Sequence, residues 1–349
     1  MFALSRCATP KLGPRKWSTY TVLGFLGYGV ASVFSAVLAS AWDFTLAMRL
    51  VVSFAPPLAF IAVITVATAL KGREWIVFYQ TTVAGVAAVV LLGRLAGGSV
   101  WRQLDVAVLG IGVFLVFGRL GCFHVACCHG TPSERGVVYA DEHVAVGFWK
   151  RWKGRPLVPV QLVESAGSAV LVGLALVFSS TPGTAALVYA TGYALMRFAL
   201  ELVRGDPVRP FARGLSEAQW FALATTVVCA VARPTWWTFA AAIVVLAGCV
   251  ALVRRRIDRE LFLPPHLREI DALSETILAD PTHARRETRL GVGISCHTLP
   301  DGRVDWIMSS TTHPKWSTAA ARRIADSLWT SNEIIEGRTP GVVHVLVAV

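Results

Sequence analysis

Charge is what this chain is short of. Only 16% of its 349 residues are charged, against 54% hydrophobic ones, and the mean hydropathy is +0.57. Soluble globular chains carry about a quarter charged residues, so the scarcity excludes that class and points to a polytopic membrane protein. Acidic residues are the scarcer sign, 22 against 33 Lys and Arg, giving a formal net charge of +11. That excess suits contact with anionic lipid headgroups. It makes no case for nucleic acid, because no nucleic-acid fold accompanies it. Internal repeats and low-complexity tracts are also absent.

What is present is a series of long apolar runs: Tyr20 to Ala41, Phe44 to Leu70, Trp75 to Ala96, Asp105 to Phe117, Pro159 to Ser179, Gly183 to Val203, Ser216 to Val231 and Trp236 to Val253. Their lengths predict about seven or eight transmembrane helices. The fourth is short and needs Gly118 to Phe123 to finish its crossing, while Pro56-Pro57 should kink the second. Ala39-Ser40-Ala41 has the look of a signal-peptide cleavage site, but a run of about twenty apolar residues exceeds a usual signal core, and a retained helix is the favoured reading. Residues 1–254 are therefore assigned to a transmembrane domain, with 119–158 as a membrane-proximal head. After Arg254-Arg255-Arg256 the composition changes, and 255–349 reads as a small extramembrane α+β domain. Its expected elements are a helix near Leu267 to Leu278, a hairpin of Arg289 to His297 and Arg303 to Ser309 across Pro300-Asp301-Gly302, a helix from Pro314 to about Trp329, and a strand from Gly341 to Val349. The fold class is thus an all-α polytopic membrane protein with a β-β-α-β tail.

Polar residues inside apolar runs are costly and hence informative. Gly118-Arg119-Leu120-Gly121-Cys122-Phe123-His124-Val125-Ala126-Cys127-Cys128-His129-Gly130 crowds three cysteines and two histidines against an arginine. Glycines allow close backbone approach, a guanidinium suits a phosphate, and thiols beside imidazoles are ligands, nucleophiles or a redox pair. In the sixth run Tyr193, Arg197, Glu201 and Arg204 recur at i, i+4, i+8 and i+11 and so share one helical stripe. One reading is an Arg-Glu-Arg ladder stabilising a buried surface. The other, favoured because two cations outnumber one carboxylate, is a site for an anionic headgroup. Gln161 and Glu164 share a face of the fifth run with Gly167 and Ser168, which fits helix packing and a site equally.

The order Gly-Arg-Leu-Gly-x-Phe with Gly130, Pro159-x-Gln161-Leu162-x-Glu164, Tyr193-x-x-x-Arg197-Phe198-x-x-Glu201-x-x-Arg204 and Gly214-Leu215-Ser216-x-x-Gln219 resembles the prolipoprotein diacylglyceryl transferase family over about Tyr20 to Val231. The resemblance implies a multi-pass enzyme of the bacterial inner membrane. Such an enzyme passes a diacylglyceryl group from an anionic donor, phosphatidylglycerol, to the lipobox cysteine thiol of a secreted prolipoprotein, releasing glycerol phosphate, with no resident cofactor or metal. Carried over by position, Arg119 is the arginine that contacts the lipid phosphate and Arg197 the essential arginine of the late helix. Tyr193, Glu201 and Arg204 surround Arg197, Tyr20 opens the first helix, and Gly121, Gln161 and Glu164 belong to the substrate-binding motifs. The family topology puts the head and cleft on the outer face. The basic residues Arg6, Lys11, Arg15 and Lys16 before the first helix and Arg254 to Arg256 and Arg259 after the last place both termini, and by alternation the head, in the cytoplasm; the family is followed for the head.

The chain also departs from the family pattern. Cys122, Val125 and Cys127 stand where the family has asparagine, asparagine and glutamate, Tyr79 stands where it has an essential histidine, and Val158 precedes Pro159 in place of another histidine. Together with Arg204-Gly205-Asp206-Pro207 this resembles a divergent, cysteine-rich branch. A proton acceptor must then come from elsewhere, and His124 and His129 are the imidazoles beside Arg119, with Tyr79 as the rival. For the cysteines four readings stand: packing of small thiols in a tight turn, a Cys122–Cys127 disulfide, a part in catalysis, or a metal, against which adjacent cysteines and the lack of a standard zinc spacing both weigh. Cys7, Cys229, Cys249 and Cys296, and His266, His283, His297, His313 and His344, form no constellation. The rival to an enzyme is a non-catalytic lipid- or metal-binding membrane protein on the same scaffold; a transporter is disfavoured because the intramembrane charges cluster.

Overall fold

A computed structural model describes residues 8–9, 11–12, 15–72, 78–97, 99–206, 209–280, 282–329 and 332–347. Arg6, Cys7, the Trp75 opening of the third run, Pro207 and the Val349 end of the last expected strand lie outside them. Among the described residues the apolar runs form eight helices: α1 Thr19–Ala41, α2 Leu46–Lys71, α3 Phe78–Ala96, α4 Val100–His124, α5 Val160–Val177, α6 Thr184–Leu200, α7 Glu217–Ala232 and α8 Trp236–Arg254. Helices α1 to α5 and α8 are long and apolar enough to cross a membrane, while α6 and α7 are shorter apolar helices. The chain is a polytopic helical membrane protein with a small C-terminal sheet. Helix α2 continues through Pro56 and Pro57. Two compact units are formed, one of residues 1–129, 159–204 and 218–247, the other of 130–158, 205–217 and 248–349.

In the first unit α4 is the central element, packing on α1, α3, α5 and α6. Its spanning window is 56% buried, against 17–39% for the other five spanning helices, so its neighbours are protein more than lipid. This explains a difference from the sequence reading. The fourth apolar run opens at Asp105, yet the helix starts at Val100 and takes in Arg102 and Gln103. Those side chains close the ends of neighbouring helices. The Asp105 carboxylate accepts from the backbone N–H of Gly183 (2.7 Å) and Ala186 (2.8 Å) at the start of α6, supplying a cap that α6 lacks in its own sequence. Gln103 Nε2 donates to the carbonyls of Gly93 and Gly97 at the end of α3. At its other end α4 runs through Arg119, Gly121 and Cys122 to His124, and so includes the Gly118 to Phe123 stretch. Helix α1 offers α4 a seam of small residues, Gly27, Ala31, Ser35 and Ala39, at four-residue spacing. Ala39, a position in the cleavage-like tripeptide, is thus part of a packed face.

In the second unit β1 Pro132–Val138 pairs with β2 Pro156–Leu157, and Tyr139, Phe148, Trp149 and Trp152 are buried. The C-terminal part holds α9 Pro264–Ala279, β3 Arg286–Glu287, β4 Gly293–Thr298, β5 Val304–Ser309, α10 Thr318–Leu328, β6 Asn332–Glu336 and β7 Val342–Val347. The strands form one antiparallel sheet in the order β6-β7-β5-β4-β3. Inward alternation of Ile294 and Cys296, Trp306 and Met308, and Val343 and Val345 builds one buried face, and Ile324 and Leu328 of α10 and Ile270 and Ile277 of α9 supply the helical part of the core. The expected β-β-α-β core is therefore extended by two strands. Edge strand β6, Asn-Glu-Ile-Ile-Glu, carries too little apolar alternation to be read as a strand. Helix α10 begins after Ser317, whose hydroxyl accepts from Ala320 N–H, rather than at Pro314.

Residues 130–158, most of the segment read as a membrane-proximal head, form one compact unit with the C-terminal part. Asp271 of α9 accepts from the Trp149 indole (2.5 Å) and from Arg151 (2.6 and 2.7 Å), and Arg268 lies over the Trp149 ring. Trp152 and Arg155 donate to the carbonyls of Ser327 and Asp326, the last turn of α10, where helix carbonyls lack partners of their own. Asp271→Ala leaves a buried indole N–H and an arginine without their acceptor, a cost of about 2–4 kcal/mol. Chymotrypsin should then cut near Trp149 and Trp152 several-fold faster than in the wild type; an unchanged rate would mean that these contacts hold nothing.

Candidate active site

The site is built on three helices of the membrane-embedded unit. Stripe spacing on α6 puts Tyr189, Tyr193 and Arg197 on one buried face, with Glu201 and Arg204 just beyond its end. Helix α5 brings Glu164, Ser165 and Ser168 on a buried face, and α4 brings Arg119 and the thiols. Close approach is possible because Gly112 of α4 carries no side chain: a Cβ there would lie 2.6 Å from the Tyr189 ring. Ser168 uses that gap to donate to the Gly112 carbonyl (3.0 Å) and to hydrogen-bond the Tyr189 hydroxyl (2.7 Å).

Glu164 is the junction of the site. Its Oε1 lies 3.0 Å from Arg119 Nη2 and 3.6 Å from Arg197 Nε, and it accepts the Tyr193 hydroxyl at 2.6 Å. A second carboxylate, Glu201, lies 2.6 Å from Arg197 Nη2 and 3.1 Å from Arg204 Nη1. Arg197 Nε also donates to the Tyr79 hydroxyl (3.3 Å), and the Tyr79 ring packs against Phe221. Three guanidinium groups thus meet two carboxylates, an excess of one positive charge in an interior that cannot solvate it. Two buried N–H groups, Arg119 Nε and Arg197 Nη1, have no hydrogen-bond partner among the described residues. Unsatisfied charged donors are expensive to bury, and an anion with several acceptor oxygens would satisfy both.

An apolar cavity of about 760 Å³ lies between α3, α4, α6 and α7, with Phe78, Leu104, Tyr189, Phe221 and Val228 in its wall. Among the described residues lining it, Arg197 is the charged one. A long apolar space ending on a guanidinium suits an amphiphile with an anionic head.

The turn after α4 carries the thiols. The sulfurs of Cys122, Cys127 and Cys128 all lie within 4.8 Å of one another, and the six described cysteines are free thiols. Ala126 and Cys128 adopt left-handed backbone conformations (φ 58° and 54°), uncommon for residues with a side chain. The Cys127 N–H donates to the Cys122 carbonyl (3.1 Å) and Gln161 Nε2 to the Cys127 carbonyl (2.6 Å), so α5 braces the turn. The Cys128 thiol is held well below its usual range, chiefly because Cys122 and Cys127 hydrogen-bond to it, with Arg119 adding attraction. Tyr20 packs on Gly121, where a Cβ would lie 3.1 Å from the Tyr20 Cα, and its hydroxyl is within electrostatic range of the three thiols and Arg119.

Of the residues singled out in the sequence, Arg119, Glu164, Tyr193, Arg197, Glu201, Arg204 and Tyr79 form one connected network. Gln161, Gly121 and Tyr20 serve the neighbouring turn. His124 closes α4, edge-on to Phe123, and His129 is buried in the same turn. Tyr189 was missed, although the four-residue spacing back from Tyr193 marks it; the two rings stack at 5.9 Å. The wall of the cavity had no sequence signal, since apolar residues facing a lipid and facing a cavity look alike.

A family model described as prolipoprotein diacylglyceryl transferase matches residues 66–237. Among known proteins, the phosphatidylglycerol–prolipoprotein diacylglyceryl transferase of Clostridium tetani is 28% identical over 157 residues, 44% of this chain and 60% of that protein. Transferase 2 of Clostridium perfringens is 28% identical over 137 residues, 38% of this chain and 51% of that one. A Dehalococcoides mccartyi transferase is 32% identical over 136 residues, 38% and 48% of the two chains. The chain spans 60% of the first of these relatives and about half of the other two.

Glu164→Gln keeps the side-chain shape and removes the charge shared by two buried arginines. It should destabilise the detergent-solubilised protein by about 3–5 kcal/mol, against about 1 kcal/mol for Ser165→Ala, which loses a single neutral hydrogen bond to the Val116 carbonyl. Thermal aggregation midpoints of the two variants measure the difference; equal midpoints would remove Glu164 as the junction.

Proposed function

From the match of residues 66–237 to the prolipoprotein diacylglyceryl transferase family model, we propose that this chain transfers a diacylglyceryl group from phosphatidylglycerol to a protein thiol. The acceptor in this reading is the lipobox cysteine of a secreted prolipoprotein, and the setting a bacterial inner membrane with the cleft on its outer face. The observation that carries it is a pair of guanidinium groups joined by one carboxylate, each with an N–H (Arg119 Nε and Arg197 Nη1) that has no partner among the described residues, with Arg197 in the wall of a large apolar cavity. The cavity suits the acyl chains and the two arginines suit the phosphate.

In the reaction the acceptor sulfur bonds to the glycerol carbon that carries the phosphate. The carbon–oxygen bond breaks, and its electron pair leaves on glycerol phosphate. Arg119 and Arg197 stabilise the charge that grows on that oxygen. Glu164 and Glu201 position the two guanidinium groups, Tyr193 and Arg204 hold those carboxylates, and Tyr79 orients Arg197 through its hydroxyl. The thiol must lose its proton to attack. Tyr79 already accepts from Arg197, which favours His124 or His129, the imidazoles of the neighbouring turn, as the proton acceptor. Tyr20, Gly121 and Gln161 shape the turn that the acceptor meets.

Purified protein given phosphatidylglycerol and a lipobox peptide should release glycerol phosphate and raise the peptide mass by one diacylglyceryl group. Arg197→Ala should abolish turnover while the protein still inserts, and Arg197→Lys should fail too, because an ammonium cannot reproduce the planar fork. His124→Gln or His129→Gln should slow the chemical step about a hundredfold with donor binding intact. Wild-type protein that binds phosphatidylglycerol and never turns over would move it to the non-catalytic, lipid-binding reading.

A further inference from the structure

The three thiols do what adjacent cysteines in a regular strand or helix cannot. Neighbouring side chains diverge in extended or helical backbone, yet Cys127 and Cys128 both converge on Cys122, because Ala126 and Cys128 take left-handed conformations. Each such residue costs of order 1–3 kcal/mol and persists only where its surroundings enforce it. Here the Cys127 N–H bond to the Cys122 carbonyl and the Gln161 brace enforce it. Strain kept in place to gather three sulfurs is hard to explain as packing, for which an alanine turn without strain would serve.

Resting on the transferase reading above, we propose that Cys122, Cys127 and Cys128 bind a zinc-class divalent ion as a three-thiolate site whose fourth position takes the acceptor thiol. With metal–sulfur bonds of about 2.3 Å, three ligating sulfurs stand about 3.8–4 Å apart; sulfurs already within 4.8 Å of one another need to close by less than about 1 Å. Three sulfur donors select zinc over magnesium or calcium, and three protein ligands with an open fourth position are the pattern of zinc sites that act on a substrate. Three thiolates and a divalent ion sum to one negative charge, which matches the single positive charge by which Arg119, Arg197 and Arg204 exceed Glu164 and Glu201, and Arg119 and Arg197 both lie within electrostatic reach of Cys128. Cys122 is buried while Cys127 and Cys128 are partly exposed, so a substrate has a way in.

The step balances without a redox partner. The acceptor thiol gives its proton to a neighbouring imidazole and then to water, its sulfur binds the ion, and that sulfur next bonds to the glycerol carbon as glycerol phosphate departs. The ion keeps its charge throughout. A coordinated thiol is deprotonated outright, which would make good the histidine that Tyr79 replaces.

The test is cobalt(II) and zinc(II) titration of the reduced, detergent-purified full chain. One equivalent per chain should bind, cobalt giving thiolate-to-metal charge-transfer absorption and the visible bands of tetrahedral geometry. Addition of a lipobox peptide should shift those bands, and the same peptide with Cys→Ser should not. Cys127→Ser and Cys128→Ser should each weaken zinc binding at least tenfold. No stoichiometric binding by the wild type, binding that survives both variants, a Cys122–Cys127 disulfide in the protein as purified, or cobalt bands indifferent to the peptide would each overturn the proposal. A peptide-dependent shift without diacylglyceryl transfer would instead keep the thiol-binding metal site and sink the transferase reading, so the two failures are distinguishable.

Discussion

One carboxylate oxygen organises the membrane-embedded unit. Glu164 Oε1 is shared by Arg119, Arg197 and Tyr193, from three different helical positions, at distances of 3.0, 3.6 and 2.6 Å. In a low-dielectric interior two guanidinium groups would repel each other strongly, and either alone would be too costly to bury. A single acid between them makes the pair tolerable while leaving one N–H of each arginine without a partner among the described residues. The cluster is thus balanced enough to persist and cationic enough to need an anion, a compromise that purely structural ion pairs avoid.

The rest of the unit is arranged to hold that compromise. Helix α4 carries Arg119 and is buried along most of its length, so its polar side chains can be spent on neighbours: Asp105 closes the start of α6 and Gln103 the end of α3. The gap at Gly112 lets α5 and α6 close on α4, and the Ser168–Tyr189 bond registers them one turn from the Glu164–Tyr193 bond. Positioning a guanidinium to within a fraction of an ångström is a demand that only rigid, mutually capped helices meet.

Much of this was legible in the sequence, for physical reasons. Helices in lipid must be long and apolar, so all eight runs were visible, and buried charges are so unfavourable that Arg197, Glu201 and Arg204 stood out at helical spacing. Glu164 was undervalued because one acid on a small-residue face looks the same whether it packs or binds, and its role depends on α4 and α6, which sequence spacing cannot relate. The start of α4 lies before the apolar run that opens at Asp105, because the polar side chains of Arg102, Gln103 and Asp105 bind neighbouring helix ends and loops that spacing cannot relate. The convergence of Cys127 and Cys128 rests on two left-handed residues, neither of them glycine, so no turn signal announced it. Residues 130–158 are legible as a polar head, but only Trp149, Trp152 and Arg155 meeting Asp271 and the end of α10 reveal their packing partner.

The central claim is that Arg119 and Arg197, joined through Glu164, form one phosphate-binding pair. An electron cryomicroscopy map of the protein in nanodiscs containing phosphatidylglycerol tests it most directly. The account predicts lipid phosphate density within hydrogen-bond distance, about 2.7–3.2 Å, of both Arg119 Nε and Arg197 Nη1, with acyl density in the cavity between α3, α4, α6 and α7. A phosphate bound elsewhere, or a fully occupied cavity with both N–H groups still unpartnered, would contradict it.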